Sequence, residues 1–230
     1  EGASLFLTQL ARERLTEKGV LIVKDSSANK CGVICSSYEI IAGMMLSEAE
    51  FLEIKAEFVN EVIEKLKALA LLEAKTLFRE HYFQPELSLT QLSMALSSEI
   101  IGMTDLIAGL IEKDKIPKAG FIQVMMLDFI PRSLHAKTGE QLLQKLPSAY
   151  TIRAMASILA SRIIYHEGIH YLASLTQDDK AEHLIQYLRQ EEKTGSLIQQ
   201  IERSDIADKN RIIELLRRGG TGTALRWGEH

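Results

Sequence analysis

The sequence predicts a mainly α protein, on three observations. It contains only four prolines in 230 residues, and each sits near an expected element boundary. Long stretches place apolar residues at helical spacing. A single β-branched run, Val20-Leu21-Ile22-Val23, has strand length. A lone strand makes no stable sheet. The block 1–46 therefore reads as part of an α/β unit whose partner strands lie upstream of residue 1, and the remainder as helical.

Taken in order, residues 9–18 read as a short amphipathic helix closed by Gly19. The run 20–23 follows, then a turn at Asp25-Ser26-Ser27-Ala28-Asn29, then helix from Gly32 through Ile40, Ile41, Met44 and Met45. Ser47 with Glu50 three residues on forms a capping-box pattern that opens a long helix to about Arg79. Phe51, Ile54, Phe58, Val62 and Leu66 define its buried stripe. A second helix is expected from Ser88 to about Lys113, followed by a charged loop, Lys113-Asp114-Lys115-Ile116-Pro117-Lys118. Further helices are expected at 148–167, 178–192 and 205–218. The domains expected are 1–46, a helical domain at 47–218 and a Gly-rich flexible tail at 219–230.

Bulk properties exclude several classes. Charged residues make up 25% with a formal net charge of −4, which speaks against a broad nucleic-acid surface. The apolar runs read as shorter than the roughly 20 residues a membrane span needs, and no cleavable signal opens the chain. Cys31 and Cys35 are spaced C-x3-C rather than C-x2-C and are expected as a buried, reduced pair on one helix face. Low cysteine use favours the cytoplasm.

The residues carrying a family resemblance lie in the first block. Glu1-Gly2-Ala3-Ser4, a helix, the run 20–23, then Asn29-Lys30-Cys31-Gly32-Val33 with Ser36 and Glu39 resemble the end of the nucleotide-binding domain of glutamate dehydrogenases, in the Glu/Leu/Phe/Val dehydrogenase family. That pattern is Glu-Gly-Ala-Asn, a gap, Asn-Ala-Gly-Gly-Val, then Ser and Glu. Lys30 in place of Ala and the long helical extension resemble the large-subunit, bacterial-type NAD-dependent branch. The resemblance makes block 1–46 a truncated remnant of a doubly wound (Rossmann-type) NAD-binding domain. It implies Asn29 and Ser4 as cofactor-binding residues, and Val33 and Ser36 as substrate-binding residues for L-glutamate or 2-oxoglutarate. Ser4 stands where the family has Asn, and Cys31 where it has Gly. Seen bare, Asn29 is a turn residue, Gly32 a helix-start residue and Ser36 a side chain bonding its own helix.

The chemistry implied is oxidative deamination of L-glutamate to 2-oxoglutarate and ammonia with NAD, in the full-length protein, which is expected to be a homo-oligomer. The chain contains no Gly-x-Gly-x-x-Gly pyrophosphate turn, nor the family's catalytic lysine segment or aspartate. No catalytic residue is therefore assigned here, and the isolated chain is expected neither to retain NAD nor to turn over glutamate. A non-catalytic helical interaction or regulatory module is the alternative.

A competing motif is His166-Glu167-Gly168-Ile169-His170, which matches the zinc-peptidase H-E-x-x-H, with Glu191 or Glu192 as a distant third ligand. Gly168 weakens the helix such a site needs, and Ala160-Ser161…Tyr165…Gly168 resembles a helix end of the large dehydrogenases. No metal is therefore assigned. Gly219-Gly220-Thr221-Gly222-Thr223 lacks the Gly-Lys-Ser/Thr of a phosphate loop and reads as tail.

Overall fold

The computed structural model describes residues 1–116, 127, 129–139, 145–169 and 180–216. Among these the architecture is helical throughout, with no strand. Eight helices run α1 Gln9–Glu17, α2 Asp25–Ala28, α3 Lys30–Met45, α4 Glu48–Phe83, α5 Leu89–Glu112, α6 Arg132–Thr138, α7 Ser148–Glu167 and α8 Lys180–Glu202. A further helical segment spans 209–216.

Local chemistry sets most boundaries. Thr8 caps α1 by accepting from the Ala11 amide at 3.2 Å. At its other end the Gly19 and Val20 amides donate back to Thr16 and Leu15, with Gly19 at φ +81°. That is the Schellman closure expected of a glycine after a helix. The Ser47–Glu50 capping box opens α4, and a second box, Ser88 with Gln91, opens α5. Helix α4 runs past Arg79 to Phe83, two residues before Pro85. Helix α8 continues beyond 192 to Glu202, straight through Gly195. Helix α6 was not expected from the sequence. Its N-terminal Ser133 amide and hydroxyl both donate to Glu61 of α4, at 3.0 and 2.7 Å, so its cap comes from a distant helix.

The strand expected at 20–23 does not form. The segment joins no ladder, because no second strand lies beside it among the described residues. Its carbonyls find other donors: the Glu1 amino group reaches Val23 at 2.8 Å, and the Thr90 hydroxyl reaches Ile22 at 3.1 Å. Ile22 is buried and Val20 is exposed. The turn at 25–29 closes into the single-turn helix α2.

The core centres on α5 against α7. Leu92, Leu96, Met103, Ile107 and Ile111 of α5 join Ala156, Leu159, Ala160 and Ile163 of α7 in one buried cluster. On α4, Phe58 and Val62 are buried, while the partly buried Phe51, Ile54 and Leu66 pack against the same core. Contrary to the reading of short apolar runs, α5 is long and apolar enough, by length and composition, to cross a membrane. Here it is the central helix of the core, with eleven buried residues. The flexible tail expected at 219–230 and the phosphate-loop look-alike at 219–223 lie outside the described residues.

Candidate functional site

Residues 1–7 are folded back onto the start of α2 by two carboxylates. Glu1 accepts from the Leu7 amide at 2.9 Å and pairs with Arg12 at 2.7 Å. Asp25 accepts from the Leu5 amide at 2.8 Å, from Ser26 at 2.9 Å and from the Lys24 ammonium at 2.9 Å. Leu5 takes a left-handed φ of 54°, a conformation a side-chain-bearing residue adopts only when its surroundings impose it. The Leu5 amide first, then Lys24, holds the Asp25 carboxyl down to about 2.

The clamp has a consequence for the site. It sets Ser4 beside the start of α3, where the Asn29 carboxamide donates to the Ser4 hydroxyl at 3.3 Å. The two residues implied for the cofactor, 25 positions apart, are thus brought together. Asn29 is the cap residue of α3, yet its side chain makes no capping bond. Val33 and Ser36 follow on the same exposed face of α3 at helical spacing. Val33 is 72% exposed. The Ser36 hydroxyl donates to the Gly32 carbonyl at 3.1 Å, the back-bond available to any helical serine. A Cβ at Gly32 would meet Asn29 Oδ1 at 3.4 Å, an ordinary contact, so glycine is not sterically demanded there.

Protonating Asp25 should release this loop. Its pKa is depressed in the fold, so its contribution is complete above the unfolded value near 3.8 and is lost as pH falls through about 2. An acid titration followed by NMR should show the Ser4 and Leu5 amides moving in that window, and Asp25→Asn should remove the transition.

Cys31 and Cys35 are free thiols on one face of α3, half-buried rather than buried. Cys31 donates to the Leu66 carbonyl and Cys35 to Glu39, at 3.7 and 3.6 Å. Burial, then the Glu39 carboxylate, pushes the Cys35 thiol up.

Behind α3 the sequence reading missed a buried polar cluster. Lys30, the first residue of α3, pairs with Glu73 of α4 at 2.7 Å and donates to the Tyr165 hydroxyl of α7 at 3.2 Å. Tyr165 in turn donates to the same Glu73 oxygen. Glu73 and Tyr165 are 3% and 4% exposed. Burial, then the Glu73 carboxylate, holds the Tyr165 hydroxyl far above its ordinary value. A signal was present: Glu73 falls on the apolar stripe of α4, where a carboxylate demands a partner.

Lys30 and Val33 also line a cleft of about 1330 Å³ between α3, α4, α5, α7 and α8, together with Arg153 and Arg162. Glu191, weighed in the sequence as a distant metal ligand, is engaged there by Arg162 at 2.7 Å and by Tyr187 at 3.4 Å. The H-E-x-x-H motif loses its scaffold. Helix α7 ends at Glu167, and Gly168 sits at φ +106°, so the motif does not lie on one continuous helix as i, i+4 ligation requires. His170 lies outside the described residues, and among those described no group of three His, Cys, Asp or Glu side chains could hold a metal. Burial first, then the Arg162 charge, lowers the His166 imidazole's pKa.

Comparison with known proteins agrees with the first block. Residues 1–80 match the family Glutamate/Leucine/Phenylalanine/Valine dehydrogenase. A "Probable NAD-specific glutamate dehydrogenase" of Schizosaccharomyces pombe is 33% identical over 182 residues, covering 74% of this chain and 16% of that protein. An "NAD-specific glutamate dehydrogenase" of Neurospora crassa is 33% identical over 183 residues, covering 73% and 17%. "Glutamate dehydrogenase 2" of Dictyostelium discoideum is 31% identical over 183 residues, covering 74% and 17%. The chain thus spans about one sixth of the length of these relatives. No solved structure matches it. The comparisons bear on the family and not on a bacterial branch of it. With the Ser4–Asn29 pairing in the register of the family pattern, residues 1–80 are the segment of this chain that is similar to the Glutamate/Leucine/Phenylalanine/Valine dehydrogenase family.

Proposed function

We propose that this chain is a segment of an NAD-dependent enzyme that oxidatively deaminates L-glutamate to 2-oxoglutarate and ammonia. The observation that carries the reading is the Asn29–Ser4 hydrogen bond, which joins the two halves of the family pattern at the exposed start of α3. An amide with both donor and acceptor atoms, and no capping task, fits the carboxamide or ribose of a nicotinamide cofactor. NAD would supply the hydride acceptor; the protein supplies orientation and electrostatics. Val33 offers an exposed apolar surface to the methylene chain of glutamate. The Ser36 hydroxyl, on the same face, donates to its distal carboxylate by giving up the bond to Gly32.

On this reading block 1–46 is the end of a doubly wound NAD-binding domain, and residues 47–218 form a helical domain that packs subunits or braces the cleft. Exposed apolar side chains along α4, among them Leu52, Val59, Ile63 and Leu71, support self-association of the full-length protein. They equally favour the second reading, a non-catalytic interaction module. Two free cysteines support a cytoplasmic setting.

Two outcomes test the first reading. In the full-length protein, Ser36→Ala should raise KM for glutamate by about ten-fold, the worth of one hydrogen bond to a charged group, with KM for NAD unchanged. Unaltered KM for glutamate would remove Ser36 from the site. The isolated 230-residue chain should give no glutamate-dependent NADH, since its sequence holds no pyrophosphate turn to place the cofactor.

A further inference from the structure

The start of α3 is held from two sides, and the two are unequal. On the outer side the Asn29–Ser4 bond is long, at 3.3 Å, and open to water. On the inner side Lys30 reaches across to Glu73 on α4 and Tyr165 in the last turn of α7. The two acceptors of this inner anchor, Glu73 and Tyr165, are nearly closed to solvent, where hydrogen bonds and ion pairs are electrostatically stronger than in water.

The carboxylate is an expensive way merely to fill space. Both bonds fall on one oxygen of Glu73, and the other oxygen is buried without a donor among the described residues. An apolar side chain of similar volume would avoid that cost. What the acid adds is direction: the Lys30 ammonium is fixed by two acceptors on two different helices, and it also lies 5.6 Å from the centre of the Tyr165 ring.

We propose that Glu73 and Tyr165 are positioning residues for the cofactor-facing wall, acting through Lys30 to fix the first turn of α3 and hence the Asn29 carboxamide. The proposal rests on the reading of Asn29 as a cofactor contact. Neither Glu73 nor Tyr165 need touch the reactants. Their task is to tie the wall of the site to the long helix α4 and to the end of α7, so that the helical domain sets the pose of Asn29. Displacement of a binding group by a fraction of an ångström from outside the site is enough to lower binding or rate severalfold.

The test uses the full-length protein carrying this chain. Glu73→Gln keeps the volume and removes the charge; Tyr165→Phe removes only the hydroxyl. Each should raise KM for NAD by about five- to ten-fold, with kcat at saturating NAD within about two-fold of wild type. Met103→Ala, in the core away from the cluster, should cost at least as much thermal stability and leave KM for NAD unchanged. Hydrogen exchange on the same proteins should show faster exchange at residues 29–33 in the two cluster variants and not in Met103→Ala. An active wild type whose KM for NAD is unmoved by Glu73→Gln and Tyr165→Phe overturns this inference alone. An equal rise in Met103→Ala also overturns it, by assigning the effect to stability. A wild type that does not reduce NAD with glutamate overturns the reading of Asn29 and the inference with it.

Discussion

Lys30→Met is expected to destabilise the protein by about 3 kcal/mol, and adding Glu73→Gln should restore most of that loss. The single change keeps the aliphatic stem but leaves the Glu73 carboxylate buried without its cation. Breaking a buried pair from one side costs roughly 3–5 kcal/mol. The lower end applies here because the Lys30 side chain is 22% exposed and because Tyr165 still donates to Glu73. In the double variant no charge remains, and the glutamine oxygen still accepts from Tyr165. Denaturant midpoints of the two singles and the double form a closed cycle. A double variant as unstable as Lys30→Met would show that lost packing, not the stranded charge, sets the cost.

Ile107→Ala should cost about 2–5 kcal/mol, as expected for a large aliphatic side chain removed from a packed interior. Ile107 has no solvent exposure and lies in the α5–α7 core. Helix α5 lies at the centre of that core, so a cavity there is lined by several helices and cannot collapse locally. Ile101, on the same helix but 57% exposed, is the matched control and should lose less than about 1 kcal/mol. Similar losses at both positions would mean that the outer face of α5 is covered as well.

The chain's helical character was legible from pattern alone. Ser47 with Glu50 and Ser88 with Gln91 announce the two longest helices, because a capping box satisfies backbone donors that any helix start leaves open. Gly19 and Gly168 announce two helix ends, because each takes a positive φ that other residues resist. The stripe of α4 was readable through Leu66, since burial of one face follows the helical period whatever the partner.

Other features were decided by contacts between distant residues. The run Val20–Val23 has the composition of a strand, but a strand is defined by its neighbour, and none lies beside it among the described residues. Helix α6 depends on Glu61, a cap supplied 72 positions away. The motif at His166 asks for a helix through residue 170, and the helix stops at Glu167.

The candidate site divides in the same way. By itself the sequence determined the register of Ser4, Asn29, Val33 and Ser36, because spacing along a helix is a local property. Only the tertiary structure decided that Asp25 folds Ser4 onto Asn29, and that Lys30, Glu73 and Tyr165 meet behind them. Those three come from helices separated by up to 135 positions in sequence. Their pairing follows from the need of a buried charge for a partner, a need that can be met only once the helices have packed.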